Sequence, residues 1–434
     1  MVFPCKRLST FVVLFSFYFQ TLWPCVVFAS DAETLGRSSP PISGFTLRAF
    51  VDDSGEDFDS HLKNPTQFPD FDTVEKAQEY IDEGIDIQDF YPALQITVED
   101  IFWSKYGFNF LLDKEGTLFV KPQEGVLPSS KTLRIYNPHG PTILGEGIIL
   151  SHLLIQSQAV IQTGQSSLEN LEAWVEGDEG TDGIFLTNQD SHLKTSRFTV
   201  HKGSLVNKGM ISVAESGAVN LNHQNLSNEG ILELGDKACV NAVKTLENGE
   251  TGTIQGKNLS LEADTFINHH LIHSEEQLAL KIETLFHNQT AGSIVCGGPM
   301  ILSGPGDFLN EDGLTDKAGI AVDGHVVFES FKGSFTNKGS VVGCQGMRGY
   351  LRALMNHKNL AVKTFDELTV DDFLNTGTIQ GNGTLILEKA RNKGFIKSDS
   401  LILSVGRSFS NEDQGMIQST EGLTLEGQGT FLDP

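Results

Sequence analysis

Two groups of residues in this chain carry side chains suited to chemistry: the histidines of His269-His270-Leu271-Ile272-His273 and the carboxylates Asp366, Asp371 and Asp372. Histidines hold zinc when their donor nitrogens converge with a further ligand on one point. In a strand, His269 and His270 point to opposite faces, which argues against such convergence. Carboxylates that face each other across a groove cleave glycosidic bonds by acid–base or nucleophilic chemistry. Asp366, Asp371 and Asp372 are therefore the candidates for a polysaccharide-cleaving site. Against this, Asp371-Asp372 lies just before a strand, where a turn is expected, and adjoining repeats carry no second acidic pair at the matching offset. Gly304-Pro305-Gly306 has no following Lys-Ser/Thr and reads as a turn rather than a phosphate loop. No Gly-x-Ser-x-Gly elbow is present, and Gly297-Gly298 is too isolated to belong to a calcium-binding glycine–aspartate repeat. The sequence thus predicts no catalytic, cofactor-binding or metal-binding residues.

The elements that would position any such group are set by a recurring phrase. Leu205-Val206-Asn207-Lys208-Gly209-Met210-Ile211 reads as apolar, any residue, Asn, short polar turn, apolar. The phrase returns around Asn228, Asn248, Asn268, Asn288, Asn310, Asn337, Asn356, Asn375, Asn392 and Asn411. Successive steps are 21, 20, 20, 20, 22, 27, 19, 19, 17 and 19 residues. A step near 20 marks a solenoid; helical repeats need about 30–45 residues and a 3.6-residue period, and neither is present. Alternating runs such as Leu278-Ala279-Leu280-Lys281-Ile282 and Leu385-Ile386-Leu387 lie between the asparagines, so each copy supplies two or three short strands. The expected fold is mainly β: a right-handed parallel β-helix of about 20 residues per rung, preceded by a small α/β N-terminal unit. An asparagine at a strand end tolerates left-handed geometry and bonds turn backbone. Stacked on its counterparts, its amide can form a ladder along the axis. The eleven asparagines are accordingly the predicted structural ladder. The Phe or Leu two residues before most of them is predicted to point inward and stack.

Along the chain, residues 1–29 read as a secretory signal: Lys6 and Arg7 precede an apolar run from Leu8 to about Ala29, followed by Ser30-Asp31. Residues 30–43 are polar, contain Pro40-Pro41 and read as a linker. Residues 44–130 lack the repeat. Within them Phe45–Val51 predicts a strand, Asp72–Ile81 a capped amphipathic helix, and the runs 108–112 and 117–120 a hairpin about Asp113-Lys114-Glu115-Gly116. This unit caps the solenoid or works separately; a first rung otherwise exposes an apolar face and unpaired edges. Residues 131–434 are the β-helix, regular from about His201. Apolar runs between Leu133 and Ile161 are imperfect first rungs. Residues 163–183, which include Glu176-Gly177-Asp178-Glu179-Gly180, predict a loop excursion. Leu186-Thr187-Asn188 reads as a degenerate early copy, with Asn188 in the asparagine position.

Lys and Arg number 31 against 56 Asp and Glu, and the net charge of −25 argues against nucleic-acid or anionic-membrane partners. With Cys5 and Cys25 in the signal, Cys239, Cys296 and Cys344 remain, which is neither a disulfide framework nor a metal spacing. Cys296 and Cys344 lie about two rungs apart, beyond disulfide reach, and read as small core or turn residues.

The tandem Leu/Phe-x-Asn-x-Gly-x-Ile phrase with a following Leu-x-Leu strand, over about residues 201–434, resembles the repeats of filamentous haemagglutinin-like exoproteins and other bacterial adhesins. Asn137-Pro138-His139-Gly140 is similar to the Asn-Pro-Asn-Gly motif of their secretion domain, with His for the second Asn. The resemblance implies a large right-handed parallel β-helix, secreted or held on the bacterial outer surface. It implies adhesion to a host or surface glycan or protein, and export with an outer-membrane secretion partner. The closing Phe431-Leu432-Asp433-Pro434 repeats the phrase with Asp for Asn, as in a fragment or a stack completed by another chain. Three classes of function stand: a non-catalytic binding protein, a polysaccharide lyase or hydrolase, and a scaffold presenting the N-terminal unit. The repeats, the signal and the lack of a catalytic set favour the first.

Overall fold

Strict alternation over short runs, broken every four to six residues, bends the chain into three-sided coils. In Thr253–Asn268 the pairing register with the next coil shifts at two places, after Gly256 and after Ala263. These shifts are corners. They divide the coil into Thr253–Gly256 on sheet 1, Asn258–Ala263 on sheet 2 and Thr265–Asn268 on sheet 3, before a turn at His269-His270 starts the next coil. Ile254, Leu259, Leu261, Phe266 and Asn268 point inward and are buried. Thr253, Gln255, Ser260 and Glu262 point outward, as period-2 geometry requires.

The structure, a computed structural model, describes residues 48–51, 101–105, 107–113, 116–126, 131–177, 183–222, 224–312, 319–412 and 414–432. Among these it is a β-solenoid of about 15 coils without a helix. Coil stacks on coil with like residues aligned, so each sheet is parallel. Sheet 1 stacks Ile254, Ile272, Ile294, Ile320, Val341 and Leu360, all at most 1% exposed. Sheet 3 stacks Phe266, Phe286, Phe308 and Phe335 with ring centroids 4.6, 4.6 and 5.0 Å apart. Burying such side chains contributes roughly 1.5–3 kcal/mol each relative to leaving them in water.

The first coil is covered. Strand β1 is Arg48–Val51, β2 Ile101–Lys105, β3 Phe108–Leu112, β4 Leu118–Pro122 and β5, the first long strand of the solenoid, Thr132–Leu144. β2, β3 and β4 form an antiparallel meander, with Leu112 opposite Leu118 across the expected hairpin. β4 then runs parallel to the end of β5, and β1 antiparallel to its start. Two stretches of the N-terminal edge of β5 thus have strand partners, and Phe108, Phe110, Leu118 and Val120 bury in the same core. The expected signal, the linker and the helix over 72–81 lie outside the described residues.

Two expectations for the early coils are corrected. Gln165–Val175 is a strand and not a loop. Its acidic residues Glu169 and Glu172 belong to the outward row, while Leu168, Leu171, Ala173 and Val175 are buried. In the early copy, Thr187 and not Asn188 lies opposite Asn207. Asn188 instead opens the turn, its carbonyl accepting hydrogen bonds from the Ser191 amide and hydroxyl.

Candidate functional site

The eleven asparagines come together as one column at the end of sheet 3. From Asn207 to Asn411 each Nδ2 donates to the Oδ1 of the next asparagine at 2.7–2.9 Å. A second Nδ2 bond reaches a carbonyl beyond the turn, such as Asn228 to Thr253 O at 3.1 Å and Asn337 to Asn359 O at 3.0 Å. The Thr187 hydroxyl closes one end by donating to Asn207 Oδ1, and Asn411 Nδ2 closes the other on Gly415 O. Asn207 to Asn392 are at most 1% exposed, so their amides are sealed from any ligand. Glycine follows for a steric reason: a Cβ on Gly252 would sit 2.1 Å from Asn228 O and 2.5 Å from Asn248 Oδ1.

The histidine cluster is dispersed. His269 and His270 occupy the turn after Asn268 rather than a strand, which corrects the expected geometry. His269 Nε2 lies 3.3 Å from Glu247 Oε1, and His270 Nδ1 lies 3.1 Å from Gly252 O. His273 is outward on sheet 1. Among the described residues no three His, Cys, Asp or Glu side chains are grouped as metal ligands would be.

Two of the three candidate carboxylates take separate partners. Asp366 sits in a bulge before Leu368–Val370 and pairs with His325 Nε2 at 3.1 Å, while accepting from Thr364 Oγ1 at 3.1 Å. Asp371 lies beyond the other end of that short run and accepts from the Tyr350 hydroxyl, which holds the tyrosine pKa above its usual range. Asp372 begins sheet 3, in register with Ala353 and Lys389. The groups are spread along one coil, where a glycosidase would need two of them facing each other across a sugar.

The buried cysteines do something the spacing did not reveal. Cys296 Sγ donates to Gly298 O at 3.2 Å and Pro299 O at 3.4 Å, and Cys344 Sγ to Gly346 O at 2.9 Å. Ser274 and Thr195 hydroxyls make the same bond, to Gln277 O at 2.6 Å and Arg197 O at 2.9 Å. A small donor at the end of sheet 1 thus satisfies the carbonyls of the corner into sheet 2, where the ladder is interrupted. The signal was a small Ser, Thr or Cys recurring at that position. Burial pushes the Cys296 and Cys344 thiols up, away from the reactive thiolate.

Asn137, of the Asn-Pro-His-Gly stretch, is buried inside β5. It donates to Gly116 O at 3.1 Å and Pro141 O at 3.0 Å, tying the β3–β4 loop to the first coil. Outside, charges pair between coils: Lys208 with Glu229, Lys338 with Glu311, and Lys393 with Glu412. Trp174 stacks on His201 with centroids 4.2 Å apart, and the His201 ring, its Nε2 3.5 Å from Glu172 Oε2, holds Glu172 below the usual carboxylate range against the opposing effect of burial.

No protein-family model, curated protein or solved structure matches the chain.

Proposed function

We propose that this chain is a secreted or surface-displayed β-solenoid that acts by binding, without catalysis. In this reading it works in the manner of the adhesin-like exoproteins its repeats resemble, with a host or surface glycan or protein as its ligand and an outer-membrane partner for export. The observation that carries the reading is the fate of the repeated polar groups. The asparagine amides are spent inside the coil, and Asp366 and Asp371 are engaged in separate surface pairs. What remains to meet another molecule is the outward surface of three long sheets, the part of a solenoid suited to extended recognition. The basic and apolar start of the chain supports secretion, and the net charge of −25 disfavours nucleic acid.

The test sets binding against cleavage. Full-length protein is applied to bacterial and host cell surfaces and to glycan arrays, in parallel with a reducing-sugar assay on acidic polysaccharides. Saturable binding without released sugar is expected. Sugar release that disappears in Asp366→Ala or Asp372→Ala would overturn the reading in favour of an enzyme.

A further inference from the structure

The outward face of sheet 1 carries the fewest charged side chains of the three sheets. From Met210–Val213 to Met416–Ser419, eleven successive coils each place two residues on this face, in continuous register. Of these twenty-two positions, only Glu233 and Lys397 are Asp, Glu, Lys or Arg. Sheet 2 over the same coils carries Glu262, Lys281 and Arg348 outward, and sheet 3 carries Glu247, Asp307, Asp372, Lys389 and Arg391. Ile231, Val342 and Met416 on the sheet 1 face are 39%, 42% and 57% exposed. In a chain of net charge −25, two copies repel where acidic surfaces meet, and this sparsely charged face is one they can bring together with little repulsion.

Its residues are also arranged with partial symmetry about the sixth of the eleven coils, Gly319–Val322, although two coils out Leu271 and His273 stand against Asn359 and Ala361 without matching. One coil to either side, Ser293 and Val295 match Ser340 and Val342. Three coils out, Thr253 and Gln255 match Thr378 and Gln380. Four coils out, the apolar Ile231 matches Phe395, and Glu233 falls opposite in sign to Lys397. Methionines, Met210 and Met416, stand five coils out on both sides.

We propose that sheet 1 is a homodimer interface, in which two copies pack face to face with antiparallel solenoid axes about a two-fold axis along Gly319–Val322. Such an axis keeps strand direction and inverts coil order, so each outward residue meets its symmetric counterpart on the other copy. Glu233 of each copy then meets Lys397 of the other, so the face's one carboxylate and its one lysine pair across the interface. Lys397 makes no ion pair among the described residues, and Glu233 accepts one hydrogen bond, from Ser212 Oγ at 3.0 Å. Ten spacings of about 4.8 Å and strands about 13 Å long cover about 600 Å² per copy. The total of about 1,200 Å² reaches the lower bound for a specific, stable interface. The pairing does not depend on which ligand the protein binds.

Sedimentation equilibrium of the full-length chain tests it, with circular dichroism confirming that each variant is folded. The wild type is expected to dimerise. Glu233→Lys and Lys397→Glu each create two like-charge contacts by symmetry and should weaken the dimer about tenfold. An equal mixture of the two variants restores opposite charges at both contacts and should dimerise with wild-type affinity. Val342→Arg, one coil from the axis, should leave only monomer. A monomeric wild type, charge reversals without effect, or a mixture as weak as its components would each overturn the proposal.

Discussion

His325 and Asp366 meet across a missing side chain. They stand on coils two apart, yet Nε2 and Oδ2 are 3.1 Å from each other. At that place the intervening coil carries Gly346, in register with both His325 and Thr364. A Cβ on Gly346 would lie 2.7 Å from Asp366 Oδ2 and 2.8 Å from His325 Cδ2.

Gly346→Ala should therefore separate the pair. Both side chains are more than a third exposed, so solvent screening limits the loss to at most about 1 kcal/mol. Urea unfolding of Gly346→Ala, His325→Ala and the double variant measures the coupling. Non-additivity about equal to the whole effect of His325→Ala is expected; additive losses would show that the methyl does not act through the pair.

Asn288→Leu should be far more costly. It strips the donor from Asn310 Oδ1 and the acceptor from Asn268 Nδ2, leaving two buried polar groups short of a partner. Each costs about 1–3 kcal/mol, so a loss of about 2–6 kcal/mol is expected in chemical unfolding. Because coils interact with their neighbours, amide exchange should rise most in the coils that carry Asn268 and Asn310. A loss under about 1 kcal/mol would mean the ladder is dispensable.

Acidification should lower stability in two stages. Burial first, and repulsion from Lys194 second, hold His192 below its ordinary value. The folded form then takes up a proton less readily than the unfolded chain. Its contribution is whole above the unfolded value of about 6.5 and is lost as pH falls through the lowered folded value. Glu172, lowered chiefly by its close contact with His201, contributes above the unfolded carboxylate value and loses that contribution as pH falls through its folded value. Urea midpoints followed downward from about pH 8 should drop less in the first stage for His192→Gln and less in the second for Glu172→Gln. Profiles that coincide with wild type would refute the assignment.

Cys239, Cys296 and Cys344 should resist thiol reagents in the folded protein and react on unfolding, since all three are buried and burial raises the thiol pKa of Cys296 and Cys344. Iodoacetamide labelling resolved by peptide mass spectrometry checks this. Rapid native modification of Cys344 would contradict the corner role.

The coil was legible in the sequence because one residue per rung, the asparagine, has a side chain whose two hydrogen-bonding ends must both be satisfied in the core. That demand survives variation in everything else, including the 27-residue step between Asn310 and Asn337, across which Nδ2 and Oδ1 still meet at 2.8 Å. Thr187 escaped notice because its hydroxyl meets only the Oδ1 end of Asn207, while a true asparagine stood beside it in the turn. The strand over Gln165–Val175 is obscured in the sequence because its acidic residues all fall in the outward row, beside an apolar inward row. Surface partners such as Asp307 and Arg352, 45 residues apart and joined at 2.7 Å, depend on how many residues each corner absorbs, which no local pattern states.

The ladder has a direction. Every amide from Asn207 onward offers its oxygen to the coil before and its nitrogen to the coil after, so the column has a head and a tail. Any stretch running from one asparagine to the next begins and ends with the same chemistry. A gene could lose or duplicate the segment between Asn248 and Asn268 and the new neighbours would still join nitrogen to oxygen. The array is therefore editable in whole coils, its length free to drift in evolution while its polarity is not.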